Sequence, residues 1–136
     1  MYKEYKDNND NNNILIFSFI IYQGKGKLKL FCSSESEQGS YIKMWDFQSS
    51  ELLKKIKIDS PNLRSICPIK ENFLLVGCGD NSIKLIEIEK GLIINTFKGH
   101  KDKIFCIKMI SFGNFGKCFL SHGYDNCIIF WHSNNN

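Results

Sequence analysis

"FLLVGCGDNSIKLIEIEKG" at residues 73–91 and "FLSHGYDNCIIFWHS" at 119–133 are two versions of one pattern. Set side by side, Asp80 falls on Asp125, Asn81 on Asn126, Ile83 on Ile128 and Ile86 on Trp131. Further back, "SYIKMWDFQSSELLKKIKI" (40–58) places Trp45 opposite Ile86. Trp45 precedes Ile86 by 41 residues, and Asp80 precedes Asp125 by 45. A chain that repeats itself at a fixed period is built from stacked copies of one unit, each too small to bury its own apolar face.

The unit is made of strands. From residue 14 onward, short runs rich in Ile, Leu, Phe and Cys are split by Gly, Asn, Asp and Ser at intervals of roughly eight to twelve residues, the all-β signal. No segment keeps a 3.6-residue apolar period long enough to be a helix. The pattern predicts strands near 14–22, 28–33, 41–47, 52–58, 63–69, 73–78, 82–88, 92–97, 103–110, 117–122 and 127–132. Four strands in about 40–45 residues is the spacing of a propeller blade.

At 136 residues the chain is one modest domain or a piece of a larger one. Hydrophobic content of 43% with 13% aromatics supports a packed core and excludes a wholly disordered chain. The formal net charge is +4, nearly all from lysine, and Arg64 is the only arginine. Arginine supplies bidentate contacts to phosphates and bases, so its scarcity disfavours sequence-specific nucleic-acid readout. The lysines read as a solvated surface.

The polar, asparagine-rich residues 1–13 and the tail 133–136 read as disordered. The start lacks the short basic region of a secretory signal. The apolar run "ILIFSFIIY" (14–22) is far shorter than the roughly 20 residues a membrane helix needs. A reducing compartment, cytoplasm or nucleus, is therefore expected. There Cys32, Cys67, Cys78, Cys106, Cys118 and Cys127 read as small buried hydrophobes, not as a disulfide framework.

Three segments carry a family likeness: "KMWDF" (43–47) with Trp45-Asp46, "NTFKGH" (95–100) ending in Gly99-His100, and "FLSHGYDNCIIFWH" (119–132). Over about residues 14–132 the chain resembles the WD-repeat β-propeller family. The resemblance implies an all-β fold of antiparallel four-stranded blades, a partial propeller of three (about 14–58, 63–97 and 103–132) whose last blade lacks its outer strand. In that family a His before the first strand, a Ser or Thr on the second, an Asp in the next turn and a Trp on the third form a buried hydrogen-bonded network. Carried over residue by residue, these are His100, Ser121, Asp125 and Trp131.

Their chemistry suits the roles: an ionised Asp only accepts, a Ser hydroxyl both donates and accepts, and a buried indole N–H needs an acceptor. Asn126 and Gly123 are expected to supply the positive φ of a tight turn. The second unit keeps Asp80 but has Val76, Ile86 and "DSPN" (59–62) at the other places. The first keeps Trp45, has Gly39 at the turn position, and carries extra residues in "SSESEQGS" (33–40).

The same stretch also holds the parts of reactive sites. Ser121, His100 and Asp125 could be a nucleophilic triad on paper. But Ser121 sits inside an apolar strand, and no G-x-S-x-G elbow is present. Cys118, His122, Cys127 and His132 lack the paired spacing of structural zinc, and alternation sends Cys127 and His132 to opposite strand faces. "GKGK" (24–27) lacks the rest of a phosphate-binding loop and reads as a hairpin turn. No catalytic residue, metal or cofactor is expected.

Three units are too few to close a ring, since propellers have four to eight blades. The chain thus reads as part of a longer propeller, or as one needing further blades or self-association to cover its open flanks. The resemblance implies a non-catalytic scaffold for a protein or peptide partner. Lys103, Phe105 and Tyr124 occupy loop or outward positions suited to contact, the aromatics most of all. The alternative function is binding of nucleic acid or acidic surfaces by the lysines at 25, 27, 29, 54, 55 and 57, which would require them to cluster.

Overall fold

Alternating apolar residues and turn-forming Gly, Asn and Asp give eleven strands among the described residues. They are β1 (Leu15–Gln23), β2 (Leu28–Ser36), β3 (Gly39–Asp46), β4 (Leu52–Ile58), β5 (Ser65–Lys70), β6 (Phe73–Gly77), β7 (Ser82–Glu87), β8 (Leu92–Lys98), β9 (Ile104–Ser111), β10 (Lys117–Gly123) and β11 (Ile128–His132). The computed structural model describes residues 1–9, 14–24, 26–70, 72–111 and 117–132. The tail expected to be disordered at 133–136, and residues 10–13, lie outside them.

The strands form three antiparallel sheets in the orders β1-β2-β3-β4, β5-β6-β7-β8 and β9-β10-β11. The fold is the partial propeller that the repeat implies, with the third sheet, among the described residues, one strand short of the other two. Two apolar layers hold the sheets face to face. Between the first and second lie Phe31, Ile42, Ile56, Ile58, Leu74, Val76 and Ile86. Between the second and third lie Leu75, Ile83, Ile104, Ile107 and Phe119. Leu74 and Leu75 thus face opposite layers, the period-2 signature of a sheet covered on both sides.

The approach of the last two sheets depends on Gly77. A Cβ there would stand 2.7 Å from the Cγ2 of Ile104, so no side chain fits. Among the described residues, the outer face of the third sheet has no such cover. Ile83 is fully buried, but Ile128, at the matching position, is 71% exposed.

Two expectations are corrected. The serine-rich run 33–40, read as an insertion, extends β2 and β3 around a two-residue turn at 37–38, with Gly39 at φ 123°. Ser33, Ser34 and Ser40 are buried within that longer hairpin. Within residues 1–13, read as disordered from their polarity, Lys3, Tyr5 and Asp7 lie against the first sheet. Tyr5 and Asp7 reach aromatic and cationic partners there, which a count of polar residues does not reveal.

Candidate functional site

The turn between β10 and β11 gathers the four residues singled out above. Asp125 lies in the turn, and Asn126 beside it takes φ 60°. His100 comes from the loop before β9, Ser121 from β10, and Trp131 from β11. The His100 Nδ1 lies 2.9 and 3.0 Å from the two carboxylate oxygens of Asp125. Its Nε2 lies 2.7 Å from the Ser121 hydroxyl oxygen, which also accepts from the Trp131 indole N–H at 2.7 Å. With the imidazole hydrogen on Nδ1, every polar hydrogen finds an acceptor. The indole donates to the serine, the serine to Nε2, and Nδ1 to the carboxylate.

Backbone groups complete the site. The Lys101 amide donates to Asp125 at 2.8 Å and the Cys127 amide at 3.1 Å. The Lys101 amide does most to hold the Asp125 carboxyl below its ordinary range, at about 2; burial opposes it, and His100 and the Cys127 amide add to it. Glycines make the approach possible. A Cβ on Gly123 would meet His100 Nδ1 at 2.8 Å and Asp125 Oδ1 at 2.9 Å. Gly123 is therefore required for space and not, as expected, for a positive φ, which only Asn126 takes in this turn. A Cβ on Gly99 would likewise meet the Trp131 ring at 2.9 Å.

The distances resemble a nucleophilic triad, but the surroundings differ. Ser121 is buried, and its oxygen already accepts the Trp131 indole hydrogen. A nucleophile needs that lone pair and an open approach for a carbonyl carbon. What the arrangement does chemically is tie a loop, a turn and two strands together. Among the described residues, no three His, Cys, Asp or Glu side chains gather where they could hold a metal ion. No helix of the structure is long and apolar enough to cross a membrane.

The other sheets solve the same problem with other groups. In β7, Lys84 lies opposite Val76, the serine position, and donates to Asp80 and to Ser82. Asp80 still accepts the Ser82 amide at 3.1 Å, as Asp125 accepts that of Cys127. In the first sheet, Cys32 holds the serine position opposite Lys43. Burial pushes the Cys32 thiol up to about 12. The Trp45 indole nitrogen is buried with no hydrogen-bond partner among the described residues. Asp46 instead caps the β3–β4 turn, accepting the Gln48 and Ser49 amides at 2.9 and 2.8 Å. Cys32, Lys43 and Lys84 escaped the sequence reading, although "IKMWD" (42–46) and "IKLIE" (83–87) place a lysine at matching positions.

The candidate contact residues cluster beside this network. Phe105 and Tyr124 are 51% and 49% exposed, with ring centres 5.4 Å apart in an edge-on arrangement. The Lys103 carbonyl accepts the Tyr124 amide at 2.9 Å. Arg64, missed as a site residue, lies close by. Its guanidinium carbon is 5.1 Å from the Phe17 ring centre and 5.8 Å from that of Tyr124. Of the lysines of the alternative reading, Lys25 lies outside the described residues, Lys27 pairs with Asp46, Lys54 donates to the Glu89 carbonyl and Lys55 pairs with Asp7.

Comparison with known proteins follows the same lines. Residues 66–113 match the model of the anaphase-promoting complex subunit 4 WD40 domain. The chain is 30% identical over 119 residues to the THO complex subunit 6 homolog of Danio rerio, covering 88% of this chain and 35% of that one. It is 30% identical over 101 residues to a WD repeat-containing protein of Dictyostelium discoideum, covering 70% of this chain and 16% of that one. The crystal structure of the WD40 β-propeller domain of Doa1 superposes with a TM-score of 0.71 at 18% identity, covering 88% of this chain and 38% of that one. This chain thus spans less than two fifths of each of these relatives. The strand order, the repeat period and the matches support a WD-repeat family for this chain.

Proposed function

We propose that the chain is a non-catalytic scaffold that presents a loop-lined face to a protein or peptide partner. The observation that carries this reading is the exposed Phe105–Tyr124 pair, held beside Arg64 and braced from behind by the His100–Asp125 tie. Two rigid aromatic rings and a cation on a firm support are what an interface anchor needs. In the same reading His100, Ser121, Asp125 and Trp131 are structural, Asp80 and Trp45 are their partial counterparts, and Lys103 joins the contact patch. Matches to proteins named as subunits of complexes support a partner-binding role. Further blades or another copy would cover the exposed face of the third sheet, where Ile128 lies. All six cysteines are free thiols, which supports a cytoplasmic or nuclear setting.

The test is affinity capture with the wild-type chain and Tyr124→Ala, each checked for its melting transition. The expected result is an unchanged melt and loss of the bound set. A Tyr124→Ala chain that keeps every partner, or that unfolds, overturns the assignment of the patch.

A further inference from the structure

The flank of the first sheet that faces away from the second is occupied. β2 and β3 turn Cys32, Lys43 and Trp45 towards it, and all three are buried. Their cover comes from the start of the chain. The Tyr5 ring meets Trp45 edge-on at 6.3 Å and 73°, stacks on Phe47 at 6.0 Å, and its hydroxyl donates to the Phe47 carbonyl at 2.7 Å. Two residues on, the Asp7 carboxylate lies 3.2 Å from the Lys43 ammonium and 3.0 Å from that of Lys55. The Asp7 and Lys43 side chains are only 3% and 4% exposed. Lys3 adds contacts to the Phe47 and Gln48 carbonyls.

The third sheet shows what normally fills this place. Trp131 is the counterpart of Trp45, and its ring is met edge-on by Phe97 at 5.7 Å and 67°. Phe97 belongs to β8, the outer strand of the preceding sheet. Tyr5 repeats that contact on Trp45 with closely similar geometry. We infer that residues 3–7 stand in for a neighbouring sheet, and that this flank is a recognition groove for an extended Tyr-x-Asp segment, filled here by the chain's own. The spacing has a physical basis. In an extended segment residues i and i+2 point to the same side, so one strand delivers both the ring and the carboxylate. Another strand or sheet that used this flank would have to displace the segment.

The experiment uses the full chain and its Tyr5→Ala/Asp7→Asn variant, with the two indole N–H resonances read separately. The expected result is a shifted Trp45 resonance, an unmoved Trp131 resonance, and trypsin cleavage after Lys6 about tenfold faster, the effect of losing one charge-assisted contact. A synthetic peptide of residues 1–9, added to the variant, should return the Trp45 resonance, whereas the same peptide with both substitutions should not. If Trp131 moves as well, the Asp7→Asn single variant decides by the same readouts. An unchanged Trp45 resonance and cleavage rate overturn the inference. So does a wild-type Trp45 signal that changes on dilution, since the segment would then come from a second copy.

Discussion

Trp45 and Trp131 occupy the same place in the first and third sheets and are held by different means. Trp131 donates to Ser121 in a chain of hydrogen bonds that ends on Asp125. Trp45 has cysteine where the serine would be, and its indole nitrogen has no partner among the described residues. Yet both rings are buried or half-buried against an edge-on aromatic, Phe97 in one case and Tyr5 in the other. The repeat therefore fixes shape and register first. The polar ties are a local option, rebuilt with Lys84 and Asp80 in the second sheet and with Asp7 and Lys43 in the first. A half-satisfied polar network is worse than none, so a sheet that loses its serine also changes the residues around it.

The comparison can be broken most severely by Trp131→Ala. It removes the ring that stacks on Phe119 and meets Phe97, and should cost about 3 kcal/mol in a denaturant melt. Ser121→Ala should cost about 1–3 kcal/mol, because it leaves the indole and the imidazole without their shared partner. A hydrolase would instead lose turnover while keeping its stability. The next test is acid titration. The Asp125 carboxyl is depressed when folded, so its contribution is present above the ordinary carboxylate value near 3.8 and is lost as pH falls towards about 2. Asp125→Asn should therefore be less stable at neutral pH and lack that part of the acid limb; identical limbs would contradict the assigned tie. The smallest effect, of opposite sign, is expected from Cys32→Ser. It restores an acceptor at the serine position of the first sheet and should stabilise by about 0.5 kcal/mol, seen as a small rise in Tm.

Much of this was legible in the residues because strand period, turn residues and repeat spacing are local signals. Ile86 and Trp131 matched in sequence and pair with the equivalent residues Leu74 and Phe119, while Asp80 and Asp125 each accept the amide two residues on. The His100–Ser121–Asp125–Trp131 meeting was readable only through the family likeness, since sequence distance says nothing of contact. Three features were hidden. Gly123 is fixed by a clash that no φ preference encodes, and Arg64 joins Phe17 and Tyr124 through the packing of separate sheets. Tyr5 and Asp7 sit in a segment whose polarity signals disorder, because composition cannot register one ring and one carboxylate placed against waiting partners.

The side of β11 that turns Ile128 outward has a practical meaning. It carries Ile128 and Phe130 on the last rank of a sheet whose two companions continue for one strand more. A ladder rung with oily side chains invites accretion, whatever the net charge of the molecule, so concentration will govern how this polypeptide behaves in a tube. A charged residue written into that rung would be the simplest solubilising edit.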